Sequence, residues 1–302
     1  LHIEEHMLSP YSQRHEGMKW RPSTKLVPNF YPKTKYTAHY LNLRFYLSEG
    51  LVKTKTHRVI SFEQRPWLRG WIEYCAWRRA DAKSAYEIQL FKSLICSVFG
   101  KTMENIRYRK NYKLITDPLK LLKAVSGPAF VSSTIISEEL TLVELAKPAL
   151  YLNKPIYSGF CILELSKLFM AEFYYSYLMK EYKDGVRCSV LASDTDSFLL
   201  EIQTEDLHAD MLLNLDRFDT SNFPEGHFIR STANERKIGK FKSETGALHP
   251  AQFVGLRPKL YSLLVPGMGK KMATKGVSRH YVQRSLTHDD YLNVLETGEY
   301  SM

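Results

Sequence analysis

Two aspartates one residue apart, Asp194 and Asp196, lie between apolar runs in the stretch VLASDTDSFLL. Apolar runs on either side of a polar turn are typical of a β-hairpin, here with strands over 187–191 and 197–202. Carboxylates on a hairpin suit Mg²⁺, which takes one or two protein carboxylates and completes its shell with water and substrate phosphates. Asp, Ser and Thr are also common in ordinary turns, because their side chains bond the nearby backbone. The pair alone leaves a turn and a metal site open.

A second group of residues that could take part in catalysis consists of cations. Lys92 lies in the second of two helices predicted by apolar spacing over 65–105, and Arg78, Arg79 and Lys83 precede it. Arg79 and Lys83 are four positions apart and are predicted to share a helix face. Several cations facing one way can grip a triphosphate and neutralise the charge that develops during transfer. A solvated basic face is the alternative.

The overall charge indicates a polyanionic partner. The 302 residues include 42 Lys and Arg against 32 Asp and Glu, a formal net charge of +10. The resulting field favours nucleic acid or a membrane surface. The cations alternate with aromatic residues over 33–40 and 107–113, which fits a binding groove better than a solvated basic arm.

The sequence indicates an intracellular protein. No apolar run approaches the length of a membrane span, and the first residues lack the pattern of a secretory signal, so we expect no membrane partner and no secretion. The four cysteines are far apart without CxxC spacing, which favours reduced thiols over a disulfide framework or a zinc site.

The order of predicted elements is that of an α+β protein. The two helices are predicted to join near 77–81 as a helical hairpin. A long helix over 160–182 is predicted to stop at Gly185, just before the aspartate-bearing hairpin. Between these helices, short stretches bounded by Pro, Gly or Ser are predicted to be strands: residues 112–116, 129–136 and 140–145.

Three ordered motifs carry a resemblance to a known family. The stretch KSLICSVFG resembles the Lys-xxx-Asn-Ser-x-Tyr-Gly fingers motif of family B DNA polymerases, and SDTDS resembles their Tyr-x-Asp-Thr-Asp-Ser palm motif. RPKLYS resembles the Lys-x-Tyr motif of the protein-primed branch. The sequence between these motifs, which includes NKPIYSGF and GKFKSE, is similar to that of polymerases of linear plasmids, viruses and Maverick/Polinton-type transposons. The resemblance covers nearly the whole chain, and ordered motifs are far more specific than a lone DxD.

The resemblance implies a right-hand polymerase fold with an antiparallel-sheet palm, helical-hairpin fingers and a partial thumb. It divides the chain into a palm-to-fingers connection with a possible priming-associated insertion, then fingers, palm and thumb approach. The corresponding ranges are residues 1–60, 61–110, 111–255 and 256–302.

The same resemblance implies roles for the acidic residues and the cations. Asp196 would bridge two Mg²⁺ or Mn²⁺ ions that clamp the attacking 3′-oxygen and the leaving pyrophosphate, and Asp194 would support it. Lys92 would contact the incoming triphosphate, and we extend that role to Arg79 and Lys83.

It also implies roles for residues around the base pair and the duplex. Phe99 would pack under the sugar and base, and Gly100 would leave room for the nascent pair. Lys259 and Tyr261 would hold the primer-template duplex. Cys96 replaces the family's Asn in the fingers motif.

Two further positions depart from the family pattern. Ala192 stands where a Tyr precedes the aspartate pair. Phe99 lacks the Tyr hydroxyl, which should keep stacking but alter discrimination at the sugar.

By resemblance the activity is that of a DNA-directed DNA polymerase acting on primer-template DNA and dNTPs, with a possible terminal-protein primer. Its expected location is the nucleus or the site of element replication. The family's first palm motif, Asp-x-x-Tyr-Pro, supplies a second metal-bridging carboxylate, and we expect it upstream of Leu1. We therefore expect little or no polymerase activity from these residues alone.

Other interpretations remain open. The stretch HIEEH matches the pattern of inverted zinc peptidases, but no third ligand is evident. An Asp-x-Asp glycosyltransferase would leave the other two motifs unexplained, and no GxxxxGK[ST] sequence supports a P-loop. The strongest rival is a catalytically inactive transposon-polymerase remnant that only binds nucleic acid.

Overall fold

The computed structural model describes residues 31–147, 149–182 and 187–298, which fall into two units. One unit is Ala38–Ser166, and the other combines Lys167–Met302 with Leu1–Thr37, within the described ranges. The predicted motif HIEEH and the predicted helix stop at Gly185 lie outside the described residues.

The unit Ala38–Ser166 contains a pair of long helices and a small sheet. The three strands pair antiparallel in the order β1-β3-β2. The elements are α1 (Tyr40–Ser48), α2 (Arg69–Asp81), α3 (Ala85–Thr102), a 3-10 turn (Ile106–Tyr108), β1 (Asn111–Ile115), α4 (Pro118–Val125), β2 (Phe130–Ser137), β3 (Leu140–Leu145) and the greater part of α5 (Ile156–Ala171).

The other unit carries the aspartate-bearing hairpin. The helix of α5 continues as a π-helical segment over Glu172–Leu178 and then as α6 (Met179–Glu181). Three sheets follow: the antiparallel hairpin β4-β5, the parallel pair β6-β7 and the antiparallel sheet β10-β9-β8. Their elements are β4 (Cys188–Ser193), β5 (Phe198–Ile202), α7 (Leu207–Leu213), a 3-10 turn (Leu215–Arg217), β6 (Phe218–Asp219), β7 (Phe241–Lys242), β8 (Gln252–Arg257), β9 (Leu260–Leu264), β10 (Lys271–Thr274), α8 (Arg279–Ser285) and α9 (His288–Thr297).

These elements confirm the α+β class, with several small antiparallel sheets. The predicted strands match β1, β2 and β3 to within a residue or two, and the long helix is continuous from Ile156 to Glu181. All four cysteines are free, two of them buried. None of the helices in the described part of the chain has both the length and the apolar character needed to cross a bilayer.

The predicted helical hairpin forms, but its connection lies later than expected. Helix α2 continues through 77–81, and the chain turns at Ala82, whose ψ of 131° is extended. Ser84 then caps α3: its hydroxyl accepts a hydrogen bond from the Glu87 backbone, and the Glu87 carboxylate accepts one from the Ser84 backbone. This reciprocal capping box satisfies two backbone donors and fixes the start of α3.

A buried apolar cluster supports the β4-β5 hairpin. Alternate residues of β5 (Phe198, Leu200 and Ile202) pack against it, together with the buried Cys188 of β4. Because side chains alternate across a strand, this spacing fixes which face of the hairpin is buried and so where its tip lies. The cluster also contains aromatic residues of the π-helical segment, including Phe173 and Tyr177.

A separate cluster supports the sheet β10-β9-β8. Val254 and Leu256 of β8 pack with the buried Tyr291 of α9. The Tyr291 hydroxyl donates a hydrogen bond to the Ala273 carbonyl of β10 at 3.1 Å, and burial raises the pKa of this tyrosine. Helix α9 therefore holds the sheet that carries the Lys-x-Tyr motif.

Candidate active site

The two aspartates lie in a tight turn at the tip of the β4-β5 hairpin. The backbone groups of Asp194 and Ser197 exchange hydrogen bonds of 3.1 and 3.3 Å, which leaves Thr195 and Asp196 as the two turn residues. Thr195 has a φ of +59°, in the left-handed region that β-branched residues rarely adopt. Such strained positions persist only where the surrounding structure fixes them, and they cluster at functional sites.

A bulge in β4 lies close to this turn. Val190 pairs with Leu200 and Ala192 with Leu199, so Leu191 is an extra residue in the ladder. Bulges bend a strand and change the direction of the side chains beyond them. The bulge and the left-handed Thr195 together set the direction in which the aspartates project.

A second tight turn carries Lys259. Arg257 pairs with Leu260, so Pro258 and Lys259 form the turn between β8 and β9. Lys259 has a φ of +62°, in a position after proline where type II turns usually have Gly or Asn. A long cationic side chain is therefore displayed from a strained backbone position.

The two turns meet through an ion pair. Lys259 Nζ donates a hydrogen bond to Asp194 Oδ2 at 2.5 Å, across 65 positions of sequence. Asp194 Oδ1 also accepts a hydrogen bond from the Thr195 hydroxyl at 3.3 Å. The Lys259 hydrogen bond, together with its charge, lowers the pKa of the Asp194 carboxyl. Both oxygens of Asp194 therefore accept hydrogen bonds from neighbouring side chains.

Asp196 differs from Asp194 in its surroundings. It is exposed, and its carboxylate makes no hydrogen bond or ion pair with the residues described for this chain. The turn thus contains one neutralised carboxylate and one free carboxylate.

The turn meets only the minimum requirement for Mg²⁺. No group of three or more His, Cys, Asp and Glu side chains arranged to hold a metal is found within 31–147, 149–182 and 187–298. Mg²⁺ is often bound through one or two carboxylates with water and substrate phosphates. The free carboxylate of Asp196 fits that mode, in which water and the phosphates complete the shell.

Tyr261 lies on β9, two residues after Lys259. It pairs across the sheet with Gly255 and Ala273, and its ring lies 5.9 Å from that of Phe253. The side chain is partly exposed. The predicted duplex-binding residues are thus adjacent, but Lys259 also has an acidic partner that the sequence did not predict.

The predicted nucleotide-binding residues of the fingers motif share helix α3. Lys92, Cys96 and Phe99 follow one another at i, i+4 and i+7 and therefore lie on one face. Lys92 and Cys96 are exposed, and Phe99 is partly exposed. A Cβ added at Gly100 would meet nothing within 4 Å. The packing of the chain therefore gives no reason for a glycine at position 100.

The prediction that Arg79 and Lys83 share a helix face is wrong. Arg79 lies in the last turn of α2, whereas Lys83 lies in the connection to α3, because the extended Ala82 and the Ser84 cap end one helix before the next begins. Arg79, Lys83 and Lys92 are exposed, and none has an acidic partner among the described residues. They remain available as cations.

The C-terminal end of α3 is fixed by a close approach of α5. A Cβ on Gly159 would lie 2.3 Å from Met103 Cγ and 2.5 Å from the Thr102 hydroxyl. Next to this contact, Glu104 is paired with Arg109 and Lys154. The Arg109 hydrogen bonds are the largest cause that lowers the pKa of Glu104 to about 2. The helix that carries the fingers motif is therefore held at its end.

The structure brings together some of the predicted residues and separates others between units. Asp194, Asp196, Lys259 and Tyr261 belong to one unit, where the first three meet at two turns. The residues of α2, α3 and their connection belong to the unit Ala38–Ser166. Comparison of the chain with protein-family models, curated proteins and solved structures found no match.

A buried polar group was not predicted from the sequence. Glu164 of α5 is 2% exposed and accepts hydrogen bonds from the Asn42 side chain and the His39 backbone. His39 Nε2 and Asn42 Oδ1 are buried without a hydrogen-bond partner among the described residues. The signal in the sequence was a lone acid within the apolar run FCILELSKLF, because a buried acid needs polar partners.

Proposed function

We propose that the chain is the palm, fingers and thumb approach of a protein-primed family B DNA polymerase, which transfers nucleotides from dNTPs to a 3′-hydroxyl or a protein-primer hydroxyl. The observation that carries the proposal is the ion pair between Lys259 and Asp194. The palm motif and the Lys-x-Tyr motif are separate parts of the resemblance, and these residues are 65 positions apart in sequence. Their contact supports a single site built from both motifs.

The turn residues have distinct roles in this proposal. Asp196 is the free carboxylate and binds the cation that travels with the triphosphate. Asp194 supports it, and Lys259 cancels one of the two adjacent negative charges. Without Lys259, two like charges so close would disfavour each other's ionisation. The pair thereby keeps Asp194 ionised and fixes the turn that presents Asp196.

The metal would supply Lewis-acid activation of the attacking oxygen and stabilisation of the leaving pyrophosphate. The chain's own residues position it: the strained Thr195 sets the turn, and the packed strand β5 holds its base. A second bridging carboxylate would come from the Asp-x-x-Tyr-Pro motif that the resemblance implies. The proposal therefore expects metal and nucleotide binding from these residues, with polymerisation requiring that further carboxylate.

The exposed face of α3 is proposed to bind the nucleotide. Lys92 neutralises triphosphate charge, with Arg79 and Lys83 as further cations. Phe99 offers a ring for stacking, and the open surface at Gly100 leaves room for a base pair. Cys96, on the same face, would contact the substrate in place of the family's Asn. The net charge of +10 suits a cleft for primer-template DNA.

The same proposal includes the right-hand arrangement, the four-part division of the chain and a terminal-protein primer. It also includes action in the nucleus or at the site of element replication. The small antiparallel sheets and the helical hairpin α2-α3 are compatible with a palm and fingers.

A non-catalytic nucleic-acid-binding remnant is the second candidate. It is favoured by the single free carboxylate at the turn, because one aspartate fixes a metal poorly. Both candidates predict salt-sensitive duplex binding, since that depends on phosphate neutralisation. Only the polymerase proposal predicts a Mg²⁺-dependent nucleotide site at Asp196.

The test is calorimetric titration of the chain with a dNTP in Mg²⁺, for wild type and Asp196→Asn. The matched control is Asp289→Asn, another exposed aspartate, at the start of α9. We expect Asp196→Asn to weaken nucleotide binding by about tenfold or more and the control to leave it unchanged. Equal binding by the wild type and Asp196→Asn contradicts the proposal. Duplex binding without any nucleotide binding supports the remnant.

A further inference from the structure

Helix α2 and the turn that precedes it carry an exposed row of aromatic side chains. Trp71, Tyr74 and Trp77 follow one another at spacings of three and therefore share one face of α2, and Trp67 lies in the preceding turn, four positions before Trp71. Their exposed fractions are 64%, 43%, 48% and 60%. We call these four residues the aromatic stripe. The chain has four tryptophans, so three of them lie in this stripe.

The burial of α2 is the reverse of what its residue types predict. The face opposite the stripe packs through small or aliphatic side chains, with Cys75 fully buried and Ile72 and Ala76 partly buried. Large aromatic residues usually dominate buried surface, because they remove the most apolar area from water. A contiguous exposed patch of this kind marks an interaction site.

Three of the four rings are close neighbours along the helix. The ring centroids of Trp71 and Tyr74 are 6.2 Å apart, and those of Tyr74 and Trp77 are 6.3 Å apart. Both pairs are tilted, at 33° and 45°, so the rings do not close over one another's faces. Gly70 lies between the first two tryptophans of the stripe, and a Cβ there would meet nothing within 4 Å. The rings are therefore not stacked face to face on one another, and each side chain keeps a large exposed fraction.

The charge along α2 is complementary to a polyanion. From residue 67 to residue 83 there are four cations and two acids. One acid, Glu73, is already paired with Arg69 at 2.7 Å. Arg79 and Lys83 follow the last tryptophan of the stripe and have no acidic partner in the described parts of the chain. An aromatic row that ends in unpaired cations combines base stacking with phosphate neutralisation.

We infer that the aromatic stripe binds single-stranded nucleic acid, with bases stacked on its rings and phosphates near Arg79 and Lys83. Unpaired strands expose base faces, whereas the bases of a duplex stack on each other and leave only edges and phosphates accessible. This strand-binding surface shares Arg79 and Lys83 with the proposed nucleotide site, but it uses neither Asp196 nor a metal. It therefore goes beyond the proposed nucleotidyl transfer, and it can be tested separately through the aromatic rings and through Asp196.

Intrinsic fluorescence measures this surface directly. In a Trp20→Phe background, every remaining tryptophan belongs to the stripe. Titration with oligo(dT) in EDTA should quench the emission, and the affinity should fall steeply with added salt. Under the same conditions, a blunt hairpin duplex should bind without comparable quenching.

Variants separate stacking from charge and from folding. Trp71→Ala with Tyr74→Ala should weaken oligo(dT) binding about fivefold or more, because each stacked base contributes substantially. Trp71→Phe with Tyr74→Phe keeps two rings and should retain most of the affinity. The matched control is Tyr151→Ala, which removes a tyrosine that is 79% exposed elsewhere in the same unit. Circular dichroism verifies that each variant is folded.

The outcomes are distinct. Loss of binding in the alanine pair, with retention in the phenylalanine pair and in Tyr151→Ala, supports the inference. Equal affinity of all variants, or quenching by anionic lipid vesicles or by self-association in place of oligo(dT), overturns it. Asp196→Asn should bind oligo(dT) like the wild type, so failure of the polymerase proposal and failure of this inference give different results.

Discussion

Lys259 Nζ lies 2.5 Å from Asp194 Oδ2, and both residues lie at tight turns with a residue in the left-handed region. The pair is roughly half exposed, at 54% and 46% of the two side chains, so solvent screens its Coulomb energy. Its importance lies in geometry: it joins two hairpins and leaves Asp196 as the free carboxylate.

The first prediction concerns the pKa of Asp194. Lys259→Met should raise this pKa towards the ordinary aspartate value of about 3.9, because the hydrogen bond and charge that lower it are gone. A carboxyl with a lowered folded pKa contributes stability above its unfolded pKa and loses it as pH falls through the folded pKa. The free energies of unfolding of the wild type and the variant should therefore differ in their pH dependence only at acid pH. Carbon-detected NMR titration measures the shift, and Lys237→Met is the control.

The second prediction concerns the strained turn. Thr195→Asn should raise the free energy of unfolding by about 0.5–1 kcal/mol, because Asn adopts positive φ more readily than a β-branched residue. Thermal unfolding measures the change. Thr232→Asn, at an exposed threonine without a positive φ, should have no such effect. A lower midpoint for Thr195→Asn than for wild type would show that the threonine is not strained.

The third prediction separates folding from substrate binding at Gly100. Gly100→Ala should stabilise α3 by up to about 1 kcal/mol, since alanine is the better helix former and the added methyl meets nothing. If the open surface admits a nascent base pair, the same change should weaken dNTP binding. Gly70→Ala, at an equally open position in α2, should leave dNTP affinity unchanged. Unaltered nucleotide binding in Gly100→Ala would argue against the role of this surface.

The fourth prediction tests how α3 is held. Gly159→Ala should destabilise the protein by roughly 1–3 kcal/mol, because the methyl would overlap Met103 and Thr102. Urea denaturation measures the loss. The double change Gly159→Ala with Met103→Ala removes the principal clash and should recover part of the stability. No recovery would mean that the contact is not the cause.

The sequence predicts local structure well where polarity and capping decide it. The helical hairpin, three of the strands and the aspartate-bearing turn follow from apolar spacing and turn residues. The error at Lys83 arose because the spacing of four residues was taken as helical although it spans the predicted join near 77–81. The Ser84 capping box was present in the sequence and is the signal that would have placed Lys83 in the connection.

The parts that could not be predicted depend on tertiary structure. Lys259 was expected to contact the duplex, and nothing in its neighbourhood in the sequence indicates Asp194 as a partner. Threonine and lysine rarely adopt positive φ, so the turns at Thr195 and Lys259 contradict local propensity. The polar group of Glu164, Asn42 and His39 likewise depends on packing between α1 and α5.

The central claim is that the turn at Asp196 binds a divalent cation together with a nucleotide. Fe²⁺ can replace Mg²⁺ and, with ascorbate and peroxide, cleaves the backbone near its binding site. The account predicts dNTP-dependent cleavage within the turn 194–197, which is lost in Asp196→Asn and kept in Asp289→Asn. Cleavage elsewhere, or cleavage at the turn that persists in Asp196→Asn, would contradict it.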